Sequence, residues 1–152
     1  MYFRCKQCGG IFSLNETCKD RFNITQTKEF ENNEYFIVHH LSVPSYMLQH
    51  NNYSTKGWLL ARELLFQFIY NNLTPDQARK QNRHILDNGN RKWNLNNTQK
   101  LTEVERIKWS FTLWNVRYNV AEEYCEDIKH WARSIFEDTK EIVKRINWIK
   151  IV

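Results

Sequence analysis

The chain is poor in the residues that mark several common chemistries. Four glycines in 152 residues leave no Gly-rich phosphate loop and no Gly-x-Ser-x-Gly nucleophile turn. There is no His-Glu-x-x-His, and no His-x-Glu paired with Pro-Cys-x-x-Cys, so the standard signatures of zinc hydrolases and deaminases are missing. No internal repeat of the length that builds a solenoid is present. No apolar run approaches the ~20 residues of a membrane span, and the N-terminal MYFRCKQCGG places polar and charged groups where a signal peptide needs an apolar core. The expectation is a cytoplasmic chain with no membrane contact. Its four cysteines would suit two disulfides in a secreted protein. In a reducing compartment a close Cys-x-x-Cys pair reads instead as a metal knuckle.

What is present is one domain's worth of sequence, 1–152, long enough to bury a core without disulfides. The formal net charge of +5 is unevenly placed. Residues 1–50 balance five basic against five acidic side chains, residues 101–152 balance nine against nine, and residues 51–100 hold eight against three. Within that basic middle, Arg79, Lys80, Arg83, Arg91, Lys92 and Trp93 form a candidate surface for an anionic partner such as nucleic acid. A plain solvated face explains the same charges.

Helix signals dominate after the first 18 residues. Met1 to Ser13 reads as a short strand, a metal-binding turn at Cys5–Gly10 and a return strand. Asn15 or Thr17 can cap a helix reaching about Glu31. A short helix is expected over 34–41, then another capped by Ser42, with Pro44 in its first turn and an end near His50. Ser54 or Thr55 opens a helix apolar on more than one face, which predicts burial. Thr74-Pro75-Asp76-Gln77 has a capping threonine, proline at the first helical position and glutamine at the third. Strand and helix signals compete over 102–116. From Val120 to about Ile149, isoleucines and tryptophans recur at helical spacing, predicting one long amphipathic helix. The fold class expected is mainly α: a single helical domain, 19–152, carrying a small N-terminal β-knuckle zinc site, 1–18.

The chemistry concentrates in Cys5-x-x-Cys8-Gly9 and Cys18. A two-residue gap lets both thiolates enter one turn, and a third in the first turn of a helix gains from the helix dipole. Three sulfurs leave a tetrahedral site one ligand short. Where a second Cys-x-x-Cys would supply it the chain has Arg21, so the candidates are histidines: His39, His40 and His50, with His84 and His130 isolated. A fold-back at Asn32-Asn33 favours His39 or His40. On one continuous helix His39 and His50 would lie about 16 Å apart, and both reach one ion only where the chain bends near Ser42. Three cysteines with one histidine, two of each, and no metal are the alternatives. Cys125 reads as a core residue.

Together with Thr17-Cys18-Lys19-Asp20-Arg21-Phe22, the stretch from Val38 to Val43, Tyr46-Met47-Leu48-Gln49-His50, Tyr124-Cys125 and Trp131-Ala132-Arg133-Ser134, these residues resemble a bacterial family of small proteins classed as a domain of unknown function. The resemblance spans nearly the whole chain and implies one domain. It adds weight to His39 and His50 as metal ligands and implies no reaction. It departs after His50, where the family pattern has proline and this chain has Asn51. The reading favours a zinc-stabilised binding or accessory protein with a protein partner, for which Trp131 and Trp148 would offer an aromatic patch. The alternatives are a hydrolase-like zinc enzyme using His39 or His50 as base, and a nucleic-acid module acting through 79–100.

Overall fold

The computed structural model describes residues 1–87 and 100–151, with side chains for 1–81 and 100–146. Strands β1 (Tyr2–Arg4) and β2 (Ile11–Ser13) form an antiparallel hairpin in which Phe3 lies opposite Phe12. The helices follow: α1 (Cys18–Glu31), α2 (Asn33–Phe36), α3 (His39–Gln49), α4 (Thr55–Tyr70), α5 (Pro75–Asp87), α6 (Ala121–Asp138) and α7 (Lys140–Ile151). The protein is mainly helical with one small N-terminal sheet, as its composition and capping signals predict. Among the described residues, no helix is long and apolar enough to cross a membrane.

Local capping fixes most helix starts where the sequence marks them. Thr17 accepts the Asp20 amide and the Asp20 carboxylate accepts the Thr17 amide, closing a capping box at α1. Ser54 caps α4 by accepting the Gly57 amide, and Thr74 and Gln77 reciprocate at α5. Each such cap satisfies amides that the first helical turn leaves without partners.

Three expectations are corrected. The break expected at Ser42 falls at Ile37–Val38, so α3 begins at His39 and Pro44 lies inside it. Ser42 is not a cap because its hydroxyl donates to the buried Glu29 carboxylate at 2.8 Å, while its own amide bonds to Val38 O. The segment 101–120 is neither strand nor α-helix. It carries two 3₁₀ turns, Thr102–Arg106 and Leu113–Asn115, the second held by a Thr112–Asn115 capping box. The long C-terminal helix is broken at Thr139 into α6 and α7.

That last break has a tertiary cause. Thr139 Oγ1 donates back to the α6 carbonyls of Ile135 and Phe136. Arg62, buried on α4, donates from Nε to Thr139 Oγ1 at 2.6 Å and from a terminal nitrogen to Phe136 O at 3.0 Å, its guanidinium 4.0 Å above the Phe136 ring. A cation thus closes the negative end of α6. Arg62→Ala is expected to lower the unfolding free energy by about 3 kcal/mol, and Arg62→Lys to recover only part of that, because an ammonium cannot reproduce the forked donor geometry. Urea denaturation of the two variants checks this, and equal stabilities of alanine and wild type would refute it.

The core lies where α3, α4 and α6 meet. Leu48, Trp58, Leu65, Tyr124, Ile128, Trp131 and Ile135 are all fully buried, and the α6 stripe follows the helical spacing read from the sequence. Trp131 therefore packs inside and offers nothing to a partner. The side chain of Trp148 lies outside the described residues. On α4 only Gly57, Trp58, Arg62 and Leu65 are buried, so one stripe faces the core, and the other apolar residues of that helix are half-covered except the exposed Tyr70 at its end.

Candidate metal centre

The site starts from a tight turn. Cys5 N donates to Gly10 O at 2.8 Å and Gly9 N to Cys5 O at 3.0 Å, folding the Cys-x-x-Cys back on itself. Gly9 adopts φ +78°, a left-handed conformation open to glycine at little cost. Gly10 is required for a different reason: a Cβ there would come within 2.2 Å of Trp114 Cδ1. Trp114 uses that close approach to donate its indole N–H to Cys18 Sγ at 3.2 Å, and Gly10 N donates to Cys8 Sγ at 3.3 Å. Sulfurs that accept N–H bonds are stabilised as thiolates.

Cys18 enters from the first turn of α1, where the helix dipole favours an anion. The fourth group is His50, which terminates α3. Its Nδ1 lies 2.9 Å from Tyr46 O, and Tyr46 stacks on the imidazole with ring centroids 4.1 Å apart. With Nδ1 donating to that carbonyl, Nε2 carries the lone pair. It is buried and makes no hydrogen bond among the described residues. The ligand atoms of Cys5, Cys8, Cys18 and His50 all lie within 4.8 Å of one another, and Cys8 Sγ is 3.7 Å from Cys18 Sγ.

The turn after His50 depends on Asn51. Asn51 has φ +52°, Asn51 N bonds to Leu48 O and Asn52 N to Met47 O, the paired bonds of a Schellman helix end. Proline has neither that φ nor the N–H. Asparagine also donates its side-chain amide to Leu101 O at 3.1 Å, tying the helix end to the irregular 101–120 segment.

Electrostatically the four groups are incomplete as protein alone. Hydrogen bonds with Cys18 and Cys8 pull the Cys5 thiol far below its usual range, while Cys18 and Cys5 push Cys8 far up, because the trio cannot all ionise at such separations. Burial opposes charge on His50, yet the Cys18 and Cys5 sulfurs outweigh it and lift the imidazole to about 9. A cation removes the conflict: three thiolates and a neutral imidazole are the donor set that a soft or borderline divalent ion takes. The cluster can hold a metal ion.

Arg21, at the position where a fourth cysteine was sought, has another task. Its guanidinium lies 4.9 Å from both the Trp114 and Tyr118 rings and donates to Leu113 O and Val116 O. Trp109 adds an indole bond to Gln7 O at 2.9 Å. The 101–120 segment therefore clamps the knuckle from outside.

His39 does not join the thiols. Its imidazole is stacked on Phe36, with ring centroids 4.8 Å apart, and its Nδ1 lies 3.4 Å from Glu29 Oε1 without a well-aligned hydrogen bond. Glu29 is buried on α1 and accepts from Ser42, from Tyr124 OH at 3.0 Å and from Gln26 Nε2 at 2.7 Å. No spacing in the sequence singles out Glu29, since its partners come from three other positions along the chain. His40 lines a separate cavity, and His130 is exposed with its ring edge-on to Phe111. Cys125 is buried and its thiol donates to Glu34 O, a core position as expected.

Of the candidate anion-binding residues, Arg79 and Lys80 are exposed on α5, Arg79 being paired with Asp76. The side chain of Arg83, and Arg91, Lys92 and Trp93 altogether, lie outside the described residues. Compared with known proteins, residues 3–140 match the family described as a family of unknown function, DUF5946. No curated protein and no solved structure matches.

Proposed function

The chain belongs to the DUF5946 family, and from the chemistry of its four converging ligands we propose that it is a zinc-stabilised accessory or binding protein of the cytoplasm, folded as one domain. The observation that carries this is His50. A buried imidazole whose Nδ1 faces a backbone carbonyl, and whose Nε2 faces three sulfurs with no hydrogen-bond partner, has the arrangement of a metal ligand with its orienting acceptor. Three sulfurs with one nitrogen match the Cys₃His donor set of structural zinc.

What supports binding over catalysis is ligand count. Four protein donors fill a tetrahedral shell, whereas a hydrolytic zinc keeps a position open for water. His50 is committed as the fourth donor, and His39 sits beside Glu29, away from the thiols. A protein partner is supported by the exposed Phe30, Phe36 and Ile37, an apolar surface of the kind interfaces cover.

Elemental analysis of untagged wild type, Cys8→Ser, His50→Ala and His39→Ala tests the reading. The expected result is about one zinc per chain in wild type and in His39→Ala, with the metal lost from Cys8→Ser and His50→Ala. A wild type that is folded and metal-free overturns it. Retention of full zinc by His50→Ala would transfer the fourth position to another group.

A further inference from the structure

A second site lies away from the thiols, where the start of α3, the end of α4 and the outer face of α6 meet. A cavity of about 290 Å³ opens there, at the small end of the range for ligand pockets. Its apolar side is made by Val38, Leu41 and Phe68, and its polar side by His40, Lys129 and Arg133.

The charge of this cavity is one-sided. Lys129 and Arg133 are four residues apart on α6, hence on one helical face, and neither makes an ion pair among the described residues. Like charges at that spacing oppose each other by a few tenths of a kcal/mol. No carboxylate lines the cavity: on α6 Asp127 is bonded to Arg117 and Glu137 pairs with Lys140, while Glu126, one turn before Lys129, lines the neighbouring cavity that Lys129 also borders. His40 adds a polar ring without a compensating negative charge. It is held edge-on to Phe68, with ring centroids 4.8 Å apart, and burial together with His39 and Lys129 lowers its pKa, so at neutral pH it is an uncharged donor or acceptor.

The rim is also built. Asn72 has φ +54° and stands just beyond the end of α4, where Leu73 N closes onto Gln67 O. This turn satisfies a terminal carbonyl of α4 with backbone and leaves the Asn72 amide, which makes no hydrogen bond among the described residues, at the cavity. Across from it, α3 begins at His39 after Val38, which provides no side-chain cap, and Val38, His40 and Leu41 bring the positive end of this 11-residue helix to the same wall.

Two cations, an uncharged imidazole, a side-chain amide and a helix start surround one apolar floor. We propose that this cavity binds a small organic carboxylate, its headgroup between Arg133 and Lys129 and its apolar body against Phe68, Val38 and Leu41. Arginine supplies the forked geometry that a carboxylate accepts. The apolar floor distinguishes such a ligand from a free inorganic anion, which would leave that floor wet.

The test is calorimetric titration of the purified full-length protein with benzoate, with benzamide as the uncharged isostere and inorganic phosphate as the bare anion. Benzoate is expected to bind with a Kd of about 1 mM or tighter, benzamide and phosphate at least about tenfold more weakly. Arg133→Ala, a change at an exposed position that leaves the core intact, is expected to weaken benzoate about tenfold, equivalent to about 1.4 kcal/mol. Lys144→Ala, on α7, is expected to leave it unchanged. Any of three outcomes overturns the proposal: no benzoate heat in wild type, equal affinity for benzoate and benzamide, or an Arg133→Ala variant that binds as wild type does. Phosphate binding as tight as benzoate overturns the assignment of an apolar body.

Discussion

With zinc held as proposed by Cys5, Cys8, Cys18 and His50, treatment with a strong chelator is expected to lower the unfolding free energy by about 4 kcal/mol, the contribution of a ligand that binds only the folded state at a thousandfold excess over its Kd. The loss should centre on the knuckle. Trp109 and Trp114 both touch it, so indole fluorescence reports the event in the same sample that yields the denaturation midpoint. Gly10→Ala should reach part of this loss without touching a ligand. The added methyl meets Trp114 at 2.2 Å, the ring must move, and Cys18 loses its indole N–H. Coincident denaturation curves with and without chelator, on protein shown to have lost its metal, would remove the ion from any structural role.

The second large effect concerns Glu29. Glu29→Ala strands the donors Ser42, Tyr124 and Gln26 in a buried space and is expected to cost about 4 kcal/mol. Glu29→Gln keeps the shape and isolates the charge. Burial raises the Glu29 pKa above 4.5, against the pull of Ser42 and Tyr124. The folded state therefore holds a proton more firmly than the unfolded one. The stability this gives is fully present below 4.5 and is lost as pH rises through the folded value. The difference in stability between wild type and Glu29→Gln should accordingly move against wild type as pH increases from 4 toward 7, by at most about 1.4 kcal/mol per pH unit. Comparing the two proteins cancels proton binding by Cys5, Cys8, Cys18 and His50, which both share. A difference that is flat with pH, or that moves in favour of wild type, would contradict the raised pKa.

The parts of the fold legible in the sequence are those with local causes. Thr17, Ser54 and Thr74 cap helices through partners three residues away, and a lone chain segment carries that information. Cys5, Cys8 and Cys18 were readable as a cluster for the same reason. His50 was one candidate among several because its selection depends on α3 running unbroken from His39, which puts the two histidines at opposite ends of a helix. That continuity depends in turn on Ser42 spending its hydroxyl on Glu29, 13 residues away. Arg62 and Glu29 gave no signal at all. A charged residue on a helix looks exposed until its partner is known, and here Thr139 and Tyr124 stand 77 and 95 residues distant. The break at Thr139 was invisible for the same reason, since helical periodicity continues through it.

The clamp of 101–120 over the knuckle bears on the order of events during synthesis. Cys5, Cys8 and Cys18 leave the ribosome early, but the histidine that completes them sits at the far end of α3, and the indole that steadies Cys18 follows 96 residues after it. A nascent N-terminal segment can offer an ion only three sulfurs, open to solvent and to exchange with competing thiols. On the proposed zinc site, secure capture would wait until the segment around Trp114 has emerged and settled, so that an ion would seal a finished body instead of seeding it.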